Sequence, residues 1–208
     1  MRIEEVKTAF KIADARIKEK DILEFDYIEN ITDENGEKLP KNILKINVPR
    51  VYIIVSNGII KKIGGSECKG GMKGTLQIYK DGGLNGQPSQ RSIGVWWLLH
   101  HELINGNEVE FYMIYQDLFD KNVKGLFGET KKRVSISYKH IELQCLADYY
   151  SIEKKYPDWN YQENHEAWND EITDLEIITK SLKGKKKDSI SFKDELIKMG
   201  HKNTKIVR

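Results

Sequence analysis

The sequence predicts an α+β fold, a small antiparallel sheet flanked by helices, and three observations lead there. VYIIV (51–55) and IIKKI (59–63) are β-rich runs joined by Ser56-Asn57-Gly58, and Asn-Gly between such runs marks a hairpin. Ser92 to Ile104 carries Val95, Trp96, Leu98, Leu99 and Leu103, the content of a largely buried helix. After the stop at Asn105-Gly106-Asn107, VEFYMIY (109–115), apolar but for Glu110, is a central-strand candidate. Helices and a few strands in this order make a layered α+β unit.

Taken in order, residues 4–20 place Val6, Phe10, Ala13 and Ile17 at helical spacing, so an opening helix is expected. ITDENGEKLPK (31–41) is a turn-rich connector. Gly64 to Gly86 holds eight glycines and few apolar residues, which predicts a loop-rich excursion with at most a short strand at 75–79. Lys121–Arg133 is a second polar connector. Helices are expected over 140–156, ended by Pro157, over about 165–182, with Trp168, Ile172, Leu175 and Ile178 on one stripe, and over about 191–199. These divisions give an N-terminal helical extension (1–49), a core (50–161) and a lysine-rich helical extension (162–208).

Composition narrows the function. Hydrophobic residues make up 39% and charged residues 32% of 208, the balance of a globular chain. No apolar run approaches the roughly 18–20 residues of a membrane span. The first twenty residues lack the apolar block of a secretion signal. Two cysteines, Cys68 and Cys145, argue against a disulfide framework and against zinc-ligand pairs, so a cytosolic location is expected. The net charge is only +2, but its distribution is uneven: five lysines against one acid from Lys61 to Lys80, and five lysines with no acid from Lys180 to Lys187. Such stretches can follow a phosphate backbone or simply be a solvated surface.

Three stretches carry the chemistry. Val51-Tyr52-Ile53 lies on the first strand of the hairpin and Lys62-Ile63-Gly64 on the second. Ser89-Gln90-Arg91 leads into the buried helix and the strand after it. Glu142 sits on a later helix, with Tyr156-Pro157-Asp158-Trp159-Asn160 downstream. In this order the segments resemble the GIY-YIG nuclease superfamily, and the Pro-x-Trp-Asn element resembles its type II restriction endonucleases. The likeness spans residues 50–161. Lysine replaces the tyrosine of the second triplet, and the arginine lies farther from the first triplet than is usual, so Lys73 is a rival for its role. The resemblance implies a site-specific double-stranded DNA endonuclease, with one Mg²⁺ held by Glu142 and a homodimeric assembly.

Elementary chemistry assigns roles within that frame. Tyr52 is the candidate general base, once a nearby cation lowers its pKa. With Asn57 as the turn centre, Lys62 is expected directly across the hairpin on the same face. Arg91, or Lys73, stabilises the phosphorane. Glu142 shares a helical stripe with Leu146 and Tyr149, so its carboxylate should face protein and needs a partner, a metal or a lysine, and the resemblance implies the metal. Lys61, Lys69, Lys73, Arg91 and Asn160 are the candidate DNA contacts, and the stretches Gly64–Lys80, Lys121–Arg133 and Lys180–Lys187 are candidate DNA-contacting segments that sequence does not rank. His100 and His101, at a helix end, and His140 are weaker candidates, since helix-terminal histidines commonly complement the dipole. Two rival readings exist. One is a nuclease of the PD-(D/E)xK kind, which needs Glu142-Leu143-Gln144 on a strand with Asp117 or Asp120 upstream. The other is a nucleic-acid-binding protein without catalysis.

Overall fold

The computed structural model describes residues 1–18, 22–33, 35–82, 89–116, 118–181 and 192–201. Strands β1 (Phe10–Lys18), β2 (Ile22–Tyr27), β3 (Arg50–Ser56), β4 (Ile59–Ser66) and β5 (Val109–Tyr115) form one sheet in the order β2-β1-β5-β3-β4. Every pairing in it is antiparallel. Every residue of β3 is buried, which explains its continuous apolar run. Tyr52 and Ile54 face one core, while Val51, Ile53 and Val55 face a second. Helices α1 (Gly71–Asp81), α2 (Gln90–Ile104), α4 (Asp170–Ser181) and α5 (Phe192–Lys198) supply the first core. Helix α3 (Tyr138–Glu153) covers β3 and β4 on the other side. The α+β class with a helix-flanked antiparallel sheet is therefore what the chain adopts.

Several elements differ from expectation. The opening helix is absent: a single 3-10 turn, Ile3–Glu5, is followed by β1. The buried set Phe10, Ile12, Ala13 and Ala15 is strand alternation displaced by one residue at a bulge between Lys11 and Ala13. That displacement imitates helical spacing. The N-terminal segment is thus integral to the sheet, with β1 beside β5. Conversely, the glycine-rich excursion contains helix α1. Its buried Met72, Leu76 and Tyr79 stand at i, i+4 and i+7, a stripe masked by Gly70, Gly71 and Gly74. The connector Lys121–Arg133 is an exposed hairpin of β6 (Phe119–Gly125) and β7 (Gly128–Val134). Helix α3 ends at Lys154, which takes the left-handed conformation (φ 58°), three residues before Pro157. Among the described residues no helix is long and apolar enough to cross a membrane. Most of the lysine run, Lys183 to Lys187, lies outside the described residues.

The β3–β4 hairpin decides which side chains share a face at the edge of the sheet. Its turn is the two-residue Asn57-Gly58, with φ of 48° and 78°, so Ser56 pairs with Ile59 and Val55 with Ile60. Continued regularly, that register would put Lys62 opposite Ile53 and on the face away from Tyr52. Instead a bulge at Lys61 shifts the pairing, and Ile54 meets Lys62 while Tyr52 meets Gly64. One extra residue flips every side chain beyond it. Lys62 therefore shares a face with Tyr52, but as its diagonal neighbour and not, as the three-residue turn implied, directly across.

Candidate active site

At the end of β4 the edge strand carries Gly64 and Gly65, and the site closes around this pair. A Cβ on Gly64 would stand 2.4 Å from the Tyr52 hydroxyl. One on Gly65 would stand 2.7 Å from Glu142 Oε2 and 2.3 Å from the Tyr138 ring. Tyr52 approaches from the face covered by α1 and α2, and Glu142 from α3 on the other. Only glycines leave room for both. The Gly65 N–H donates to Glu142 Oε1 at 2.7 Å, which fixes the carboxylate against the sheet edge and leaves Oε2 available.

The rest of that edge is also sealed. The Ile63 N–H donates to Asn160 Oδ1 at 2.9 Å, and the Asn160 amide donates back to the Ile63 carbonyl at 2.9 Å. The Trp159 N–H donates to the Lys61 carbonyl at 2.8 Å. The Asn160 side chain and the Trp159 backbone thus stand in for a sixth strand here. Asn160, expected at the DNA surface, is buried with its amide engaged on β4 and is a clamp. Lys61 is half-buried in an ion pair with Asp158 at 3.1 Å.

A pocket of about 210 Å³ lies above the glycines, walled by Tyr52, Gly65, Ser66, Thr75, Tyr79 and Arg91. Tyr79, one turn beyond Thr75 on α1, hydrogen-bonds the Tyr52 hydroxyl with its own. Both rings are buried, and burial raises both phenol pKa values, that of Tyr79 furthest. Either hydroxyl can donate in this pair, and with Tyr79 donating the bond favours ionisation of Tyr52. Arg91 also pulls Tyr52 down, and Tyr52 in turn, as the largest influence, holds the Arg91 guanidinium charged. Arg91 is thus a cation acting on the phenol, beside the Lys62 expected from the sequence, which shares the Tyr52 face.

Arg91 stands exposed in the first turn of α2. Ser89 caps that helix by accepting from the Ser92 N–H at 3.2 Å. A cation beside a helix N-terminus opposes the helix dipole, so both the arginine and the free N–H groups favour an anion there. Lys62 is buried behind the pocket and its ammonium donates to the Trp159 carbonyl at 3.3 Å. Burial, reinforced by Arg91, pushes its pKa from 10.5 down to about 8. Glu142 acts electrostatically on Tyr52, Lys62, Tyr79 and Arg91 alike.

Two solved structures are similar to this one. A mutant of bacteriophage T4 EndoII aligns with a TM-score of 0.43 and 17% identity, over 77% of this chain and 98% of that one. The restriction endonuclease HPY188I, in complex with product DNA, aligns with a TM-score of 0.41 and 18% identity, over 76% and 84%. No protein-family profile matches the chain, and no curated protein does.

Other expected residues lie elsewhere. Lys73 stands over the Tyr27 ring at 4.2 Å and is not part of the pocket wall. Lys69 is exposed on the loop before α1. His101 stacks on Trp97 at 3.8 Å and His100 is buried edge-on to Trp96. Both occupy the far end of α2, roughly 15 Å along the axis from Arg91 at 1.5 Å per residue. His140 lines a different cavity, with Gln144 and Asp148 on the opposite flank of α3. Glu142-Leu143-Gln144 is helical, so the PD-(D/E)xK alternative lacks its strand. Tyr79 and Thr75 were missed because the segment reads as glycine-rich loop. The i, i+4, i+7 stripe Met72, Leu76, Tyr79 was the signal that could have found them.

Proposed function

We propose that the chain is a Mg²⁺-dependent endonuclease acting on double-stranded DNA. The observation that carries it is the convergence of Tyr52, Tyr79, Arg91, Lys62 and Glu142 on the Gly64-Gly65 edge. A buried phenol touched by a guanidinium, with a fixed carboxylate opposite, suits in-line attack on a phosphodiester.

Tyr52 accepts the proton of the attacking water. Tyr79, whose phenol is held more firmly protonated, donates to the Tyr52 oxygen and stabilises its anion. Arg91 binds the non-bridging oxygens with its planar fork, and the free N–H groups of α2 add positive potential. Lys62, half-discharged near pH 8, becomes firmly charged once a phosphate enters and supports the same oxygens from behind.

The donor set limits how a metal can be held. Among the described residues no group of three histidine, cysteine or acidic side chains surrounds a point. A single carboxylate suits a Mg²⁺ completed by water and substrate phosphate. Glu142 Oε2 is the protein ligand in this reading. The ion supplies charge neutralisation at the leaving oxygen when bound. Type II restriction, as a homodimer on a palindromic site, is the biological form that the sequence resemblance favours.

Incubating the purified protein with supercoiled plasmid tests this directly. Mg²⁺ should give discrete bands, and EDTA none. Glu142→Gln should bind DNA and fail to cut, because the amide oxygen still accepts from Gly65 while the metal carboxylate is gone. Intact plasmid with every divalent ion tried would refute the enzyme. Full activity in Glu142→Gln would refute the ligand.

A further inference from the structure

Between β5 and the helix bearing Glu142, the β6–β7 hairpin is exposed along its whole length, Val134 alone being half-buried. A lone two-stranded ribbon is marginal in water and needs something to lie against. Its two faces differ. On one, Asp120 pairs with Lys131 at 3.0 Å and Glu129 with Lys124 at 4.0 Å. On the other, Lys121 lies directly opposite Lys132, flanked by Phe119 and Val123, with no carboxylate. Like charges across a ladder destabilise it, so that face is arranged for a polyanion. At the tip, where turns ordinarily carry polar residues, Gly125 and Gly128 flank Leu126 and Phe127, which are 95% and 102% exposed.

We propose that β6–β7 is a groove-entering finger that grips duplex DNA, with Lys121 and Lys132 on the phosphates and Leu126-Phe127 wedged at a base step. The proposal rests on the endonuclease reading and deepens it. A two-stranded ribbon fits the roughly 12 Å major groove, and seven residues reach about 23 Å. Apolar wedges of this kind unstack a step and bend the duplex. The hairpin is rooted four residues before α3, since β7 ends at Val134 and α3 begins at Tyr138. A membrane surface would also attract lysines around an apolar tip. The duplex is favoured because the lysine-only face belongs to a ribbon that leads directly into the helix carrying Glu142.

Two full-length variants test it: Lys121→Ser with Lys132→Ser, and Leu126→Ser with Phe127→Ser. Duplex binding is measured by anisotropy in EDTA across a salt series, with 2-aminopurine reporting unstacking, and plasmid cleavage is measured in Mg²⁺. The lysine variant should bind at least tenfold more weakly, with the salt slope reduced by about 2. The tip variant should keep the wild-type slope and lose the 2-aminopurine signal. Neither should change thermal stability of the core. If the wild type neither binds nor cuts DNA, the endonuclease reading falls and this proposal with it. If the wild type cuts and both variants bind and cut equally well, the finger alone is refuted. Loss of self-association in sedimentation, or wild-type binding to phosphatidylserine vesicles in place of duplex, would also overturn it.

Discussion

Tyr52 and Arg91 form the pair whose separation should be most visible in kinetics. Burial raises the Tyr52 pKa and Arg91 pulls it back, so the cleavage rate should climb with pH as the phenol ionises. Arg91→Met removes the cation, and the phenol then needs a more alkaline solution. Single-turnover cleavage from about pH 6 to pH 10 should therefore shift alkaline in Arg91→Met. It should also slow by about 2–3 kcal/mol of barrier, as for other lost transition-state contacts. Tyr52→Phe should be nearly inactive at every pH with little change in stability. An Arg91→Met profile lowered but not displaced would confine the arginine to phosphate binding. Lys62 makes a different prediction. Its folded pKa, about 8, lies below the unfolded value of 10.5. The cost of burying its charge is absent above pH 10.5, grows as pH falls to 8, and is complete below 8. That shift is worth about 3 kcal/mol, and the bond to the Trp159 carbonyl returns about 1. Lys62→Met should thus gain about 2 kcal/mol at pH 7 in urea unfolding, with the gain lost and turning to a deficit of about 1 kcal/mol, that of the missing bond, towards pH 10.5. A destabilised Lys62→Met at neutral pH would contradict the buried-charge account.

At the scale of elements, sequence and structure agree where a segment has one dominant period and part where two compete. The β3–β4 hairpin was legible from Asn57-Gly58, and β5 and α2 from their apolar runs. The bulge at Lys61 was not, because one inserted residue leaves no trace in composition while reversing which face Lys62 occupies. The bulge in β1 produced the opposite error, making a strand look helical. Helix α1 was hidden by glycines that a helix interior usually excludes, and Tyr79 with it. The β6–β7 hairpin was hidden by charge, since a ribbon exposed on both faces has no apolar alternation to show. Tyr52, Arg91 and Glu142 stood out in the sequence as candidates, but the approach of Arg91 to Tyr52 required the tertiary path of α2. Gly64 joins element to site, since its missing side chain is the space that the Tyr52 hydroxyl occupies. Gly64→Ala should lower stability by about 1–3 kcal/mol, the usual cost of overpacking. It should cut the rate at least tenfold, because Tyr79 and the new methyl cannot both keep Tyr52 in place. An Ala variant that is less stable but fully active would show that the hydroxyl position is not critical.

Across the whole molecule, the candidate site depends on how α2 is held, because Arg91 lies in its first turn. That turn is tied to α4, where the Gln90 amide donates to Thr173 Oγ1 at 3.3 Å. One turn further on, Gly94 presses against Trp168, whose ring would meet an added Cβ at 2.3 Å. Trp168 is itself stacked on Tyr161 at 4.3 Å, in the segment that continues from the Asn160 clamp on β4. The chain after α3 therefore fixes both the arginine end of α2 and the edge of the sheet that carries the glycines. Trp168→Ala removes the wedge between them. A half-buried indole should cost about 2 kcal/mol on truncation, less than a fully buried one. The rate should fall further than stability alone explains, since a loosened α2 carries Arg91 away from Tyr52. Duplex affinity should change little, because the exposed hairpin is remote from this contact. Measuring unfolding, single-turnover rate and duplex affinity on the same variant separates these effects. A stability loss with the single-turnover rate unchanged would reduce the α4 side to support for the core, with no part in placing the arginine.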